Sequence, residues 1–129
     1  MALDVGEKRI GVALANNDVR IAVPYETVLV DEGDVFKRIR YLIGYHEIDT
    51  LIVGYPRNQS GEPTAQTAYA EAFTEQLGEL PCEQVYQDES LSSVRAEAIL
   101  KNRKKPYQKA EIDELAASLI LQDYLEKEA

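Results

Sequence analysis

Asp4 stands inside the first apolar run of the chain, residues 2–5, where a carboxylate is costly unless it is paired or bound to a metal. Its alternative role is that of a turn residue bonding to nearby backbone. Gly6 and Gly11 bracket the turn that follows, so the backbone can bend sharply and leave room beside Asp4 for a phosphate or a metal. These two glycines have the outer spacing of a P-loop, but Val12-Ala13 stand where a Lys-Ser/Thr pair would be required, which excludes that motif. Asp88-Glu89 ends a strand-like run just before a helical pattern, the edge where ligands gather in parallel α/β sheets. Strand side chains alternate, so only one of this pair can share a face with Asp4; helix capping by Asp88 or Ser90 is the alternative. Asp113 begins the last helical pattern, and Ala116, Ala117 and Ile120 follow it at helical spacing, so its carboxylate projects from the apolar side. The two alanines would let that helix approach the sheet closely. Glu111 and Glu114 could meet the helix dipole without facing inward.

Two strand-end carboxylates and one inward helix carboxylate form an oxygen donor set suited to Mg2+ or Mn2+. Such a set supports in-line phosphodiester hydrolysis, in which metals about 3.5–4 Å apart activate water and stabilise the leaving oxygen. Composition excludes the cysteine- and histidine-based metal and redox motifs. Cys82 is the single cysteine and His46 the single histidine, so there is no intrachain disulfide, thiolate zinc cluster, CxxC pair or HExxH motif.

The 129 residues suit one domain with its own core, residues 1–129, given a hydrophobic content of 45%. The longest apolar run falls far short of the roughly 20 residues that cross a bilayer, and the N-terminus lacks the basic start and apolar stretch of a secretion signal. A cytoplasmic location with no membrane partner is the expectation. The net charge of −9 argues at first against nucleic acid. It is unevenly spread, however. Arg95, Lys101, Arg103, Lys104, Lys105 and Lys109 face only Glu97 across residues 95–109, so this stretch carries +5 and the remainder −14. A run of this density can contact phosphates, although a solvated surface loop would look the same.

The elements that must position these groups follow from periodicity. Residues 2–5 and 10–15 read as strands joined by the turn Gly6-Glu7-Lys8-Arg9. Residues 21–30 form a third strand, which Pro24 places at an edge or on a bulge. Phe36, Ile39, Leu42 and Ile43 mark a helix capped by Asp34 that stops near Gly44 or His46. Residues 50–53 are a buried strand, 63–78 a helix, 82–87 a strand, 90–100 a helix and 112–125 a final helix. The order βββαβαβα, with the final helix reached through the basic loop, predicts an α/β fold: a mixed sheet of five strands whose last members run parallel, flanked by helices.

Four stretches in this order resemble the YqgF family, also called RuvX. They are Leu3-Asp4-Val5-Gly6-Glu7-Lys8-Arg9-Ile10-Gly11-Val12-Ala13, Val53-Gly54-Tyr55-Pro56-Arg57-Asn58 with Gly61, Asp88-Glu89-Ser90-Leu91-Ser92-Ser93, and Ile112-Asp113-Glu114-Leu115-Ala116-Ala117 with Ile120-Leu121. The resemblance implies an RNase H-like fold and a metal-dependent endonuclease using Mg2+ or Mn2+, described in the family as a pre-16S rRNA nuclease or a Holliday junction resolvase-like enzyme. It places catalytic and metal-ligating roles on Asp4, Glu89 and Asp113, with Asp88 a further metal candidate and Glu89 favoured over it. It places nucleic-acid contacts on Lys8, Arg9, Arg57, Asn58, Arg95, Lys101, Arg103, Lys104 and Lys105. Structured RNA is the implied partner, branched DNA the alternative, and a homodimer stays open.

Two departures from the family pattern bear on activity. Ser90 stands where an arginine usually follows the acidic pair, and Arg95 is the candidate to replace it. Family members usually begin several residues before this aspartate, whereas only Met1-Ala2-Leu3 precede Asp4; the expectation is either a trimmed start or a tolerated, weakened first strand that loses ladder hydrogen bonds. A non-catalytic RNA- or ribosome-binding protein of the same fold is the competing expectation. A phosphate-binding piece of an actin-like ATPase is the other, though those enzymes need two such domains.

Overall fold

Alternation along the first strand decides the layering. In a computed structural model describing residues 1–56, 62–89 and 91–128, β1 (Ala2–Val5) points Leu3 and Val5 into one core and Ala2 into another. Asp4 therefore shares the second face with Ala2. A hairpin closed by the Gly6 N–H donating to the Arg9 carbonyl (3.0 Å) leads to β2 (Arg9–Leu14), and β3 (Val23–Leu29) follows. Next come α1 (Val35–Tyr45), β4 (Thr50–Tyr55), α2 (Ala65–Leu77), β5 (Glu83–Asp88), α3 (Ser92–Asn102) and α4 (Lys109–Lys127). This is the expected βββαβαβα order with the final helix appended.

The five strands lie in the order β3-β2-β1-β4-β5. β1 pairs antiparallel with β2 and parallel with β4, and β4 pairs parallel with β5, so the later strands run parallel as expected. β1 covers four residues, and Met1 extends its ladder, its carbonyl accepting from the Ile52 N–H at 2.8 Å. Pro24 satisfies both of its expectations: β3 is an edge strand, and the register shifts where Val12 pairs with Glu26 but Ala13 pairs with Pro24. That shift leaves Tyr25 as the extra residue of a bulge.

Helices cover both faces. Ile39, Leu42 and Ile43 of α1 and Ala70, Phe73 and Leu77 of α2 pack on Leu3, Val12, Leu51 and Val53. On the other face Ala117, Ile120 and Leu121 of α4 pack on Ala2, Ala13 and Ile52, and α3 lies outside against α4 through Ala96 and Leu100. Asp34 caps α1 by accepting from the Lys37 N–H at 3.1 Å. α4 starts three residues before the predicted position, because the Glu111 carboxylate accepts from the Gln108 N–H (3.1 Å) and closes an earlier first turn. Asp113 consequently lies in the second turn, and Glu111 is the acid that meets the helix dipole. None of the described helices is long and apolar enough to cross a membrane.

Candidate active site

Gly11 brings the first and last parts of the chain together. Sequence placed it at the close of a turn; it lies within β2, directly across from Asp4. A Cβ at this position would collide with the Asp113 backbone carbonyl, so only glycine lets α4 rest on the strand here. The Asp113 carboxylate is thereby set beside Asp4. Burial, and then the negative charge of Asp113, push the Asp4 carboxyl up to about 7. Arg9, two residues before Gly11 and on the same face of β2, donates from Nε to Asp113 Oδ2 at 2.6 Å. Gly54 on β4 performs a milder version of the same task, its missing Cβ making room for the end of the Ile120 side chain.

A second charged group forms at the end of β5. The Glu89 N–H continues the ladder to the Tyr55 carbonyl (3.3 Å), and alternation puts Glu89 on the same face as Val85 and buried Gln87. Its side chain is 8% exposed, whereas Asp88 lies on the opposite face and is exposed. Arg95 Nη1, from the first turn of α3, lies 3.0 Å from Glu89 Oε1 and 3.0 Å from Asp123 Oδ2 of α4. Burial and the neighbouring Asp123 push the Glu89 carboxyl up to about 7 against the pull of Arg95. Asp123 is held low by Glu89 and Arg95 in spite of its own burial, so the two carboxylates titrate as a pair.

The structure thus joins Asp4 with Asp113 and Arg9, and joins Glu89 with Arg95 and Asp123. Among the described residues no three His, Cys, Asp or Glu side chains come close enough together to hold a metal ion. Asp123 is a member of this group that the sequence pattern does not single out. Its signal was its place on the same helix as Asp113, beyond Ile120 where the helical count stopped, on the flank that packs against α3. Arg57 and Asn58 lie outside the described residues, as does Ser90.

The basic run divides between two structural settings. Lys101 lies in the last turn of α3, 3.8 Å from Glu97, a loose i,i+4 pair. Arg103, Lys104 and Lys105 form the exposed connection to α4, with Lys104 in the left-handed region at φ +54°. Lys8 is exposed at the β1–β2 turn beside Arg9.

The donor chemistry fits a hard divalent cation. Asp4 and Asp113 offer carboxylate oxygens from two rigid elements, and Mg2+ commonly binds through one or two carboxylates while keeping several waters. Two carboxylates crowded at one strand end, one of them short of charge compensation, are stabilised by an added cation.

Comparison with known proteins adds an independent line. A family model described as RuvX, Holliday junction resolvase, matches residues 1–127. A protein of Chloroflexus aurantiacus named "Putative pre-16S rRNA nuclease" is 41% identical over 130 residues, covering 98% of this chain and 85% of its own length. Proteins of the same name from Roseiflexus sp. and Streptococcus agalactiae are 40% and 38% identical, covering 99% and 98% of this chain and 94% and 96% of their own lengths.

Proposed function

The chain belongs to the RuvX family, and on that premise we propose that it is a metal-dependent endonuclease that hydrolyses phosphodiester bonds at the 5′ end of precursor 16S rRNA. The observation that carries the proposal is the juxtaposition of Asp4 and Asp113, more than a hundred residues apart in sequence, at the carboxyl end of the central strand. Asp4 and Asp113 would hold Mg2+ or Mn2+; Glu89, expected from the sequence as a third donor, lies instead with Arg95 and Asp123 in the neighbouring acidic group. When bound, the cation supplies Lewis acidity toward a phosphoryl oxygen and lowers the pKa of water.

The chain's own residues account for the rest. Buried strand and helix backbone fix Asp4 and Asp113, so the donors need no reordering when the cation arrives. Arg9 and Arg95 place guanidinium groups at the two carboxylate clusters, where the phosphate backbone must pass. Lys101, Arg103, Lys104 and Lys105 extend this positive surface along the α3–α4 connection, while the acidic remainder of the protein limits indiscriminate binding. The free thiol of Cys82 suits a cytoplasmic setting.

The test is cleavage of precursor 16S rRNA and of four-way junction DNA, side by side, with and without Mg2+ or Mn2+. RNA cleavage that requires the cation, and that falls at least about a hundredfold in Asp4→Asn and Asp113→Asn without loss of circular dichroism, is expected. Cleavage of junction DNA alone would reassign the substrate to the activity in the family's description. Cleavage of neither would leave a nucleic-acid binder.

A further inference from the structure

Both carboxylate clusters are already occupied by arginines, and in different ways. Arg95 is shared by Glu89 and Asp123, so it retains one carboxylate if the other is drawn away. Among the described residues Arg9 has Asp113 as its sole ion-pair partner, through Nε alone. Its side chain is 33% exposed, at the edge of the hairpin turn, whereas Asp113 is 16% exposed on a packed helix. Arg9 is therefore the mobile member of the pair. We propose that Arg9 is the resident counter-ion of the cation site: it neutralises Asp113 until the divalent cation binds, is displaced by it, and then contacts a substrate phosphate.

Charge balance gives the order of events. Asp4 and Asp113, both ionised, together match the charge of one divalent cation, so the Arg9 guanidinium becomes surplus when that cation is bound. Its positive charge beside a divalent ion is repulsive, and among the described residues no second carboxylate pairs with it in this structure. A phosphate diester carries the single negative charge and the oxygen acceptors that a displaced guanidinium takes. Cation binding thus precedes and prepares RNA binding at this position. The inference rests on the metal-dependent reading above and adds to it an exchange between two cations at one carboxylate.

The Arg9 Nε–H can be followed by proton–nitrogen NMR on the full chain, assigned by its loss in Arg9→Gln. Three states are compared: protein alone, protein with Mg2+, and protein with Mg2+ and an RNA oligonucleotide. A bonded, exchange-protected signal is expected in the first state, its loss in the second, and a bonded signal at a different shift in the third. Calorimetric titration should show Arg9→Gln binding Mg2+ roughly three- to tenfold more tightly than wild type, the range of a partly exposed ion pair removed. Lys8→Gln, the same charge change one residue away, should alter the affinity less than twofold. Persistence of the original Arg9 signal at saturating Mg2+, or equal or weaker Mg2+ binding by Arg9→Gln, overturns the exchange and leaves the metal-dependent nuclease standing. No Mg2+ binding by the wild type overturns both.

Discussion

Asp4→Asn should stabilise the protein in the absence of metal, and more so as pH rises. The Asp4 carboxyl is held at about 7 in the folded chain against 3.8 for an ordinary aspartate. Between those values the folded state keeps a proton that the unfolded state has released, so stability falls as pH rises through this window and the full penalty applies above it. At about 1.36 kcal/mol per tenfold change in proton affinity, the penalty is on the order of 4 kcal/mol at pH 8 and 2 kcal/mol at pH 5. Asparagine keeps the shape and carries no charge, while any cost of seating its amide is the same at both pH values. Urea denaturation in EDTA should therefore give a gain from Asp4→Asn that is about 2–3 kcal/mol larger at pH 8 than at pH 5. The Glu89 carboxyl, also raised to about 7, contributes equally to both proteins and cancels. Saturating Mg2+ should stabilise the wild type and not the variant. A gain that is absent, or the same at both pH values, would show that Asp4 is not a buried, charge-crowded carboxylate and would remove the physical basis for placing a cation there.

Other outcomes follow from the same geometry. Gly11→Ala forces α4 off β2 because its Cβ meets backbone, and should cost about 3 kcal/mol or more in urea denaturation; Gly54→Ala meets only the movable end of Ile120 and should cost less. Replacing Lys101, Arg103, Lys104 and Lys105 with Gln should flatten the log–log salt dependence of RNA binding by about 0.7 for each phosphate no longer neutralised, and an unchanged slope would take RNA away from the α3–α4 connection. Arg95→Gln should lower stability at pH 8 by no more than about 1 kcal/mol, since its side chain is 44% exposed, and the loss should shrink at pH 5 as Glu89 takes up a proton.

The residues that were legible in the sequence are those whose position is set by local periodicity. Alternation along β1 and the helical count from Asp113 were enough to direct both carboxylates at the same sheet–helix interface, and the buried Gln87 makes the alternation that separates Glu89 from Asp88 visible in the fold. Pro24 announced both an edge and a bulge because its missing N–H allows little else in a strand. The failures concern residues with two uses. A glycine that closes a turn and a glycine that admits a helix look alike in sequence, and Gly11 is the second kind. The start of α4 was misplaced because a Gln–Glu pair, Gln108 with Glu111, closes the first turn instead of the more familiar hydroxyl or aspartate cap. The Arg95–Asp123 ion pair joins two helices that follow one another without an intervening strand, and no periodicity within either specifies their mutual rotation.

α4 packs on β1, β2, β3 and β4, and it supplies Asp113. Until it docks, Ala2, Ala13 and Ile52 lack their cover, and Asp4 lacks its neighbour. Assembly of the fold and appearance of the proposed cutting centre are thus a single event, completed when α4 docks. A chain whose hairpin and first helices are folded without α4 holds only half of the proposed cation site. The bond from Arg9 to Asp113 closes that gap across 104 residues, so it forms only when the two ends of the fold meet.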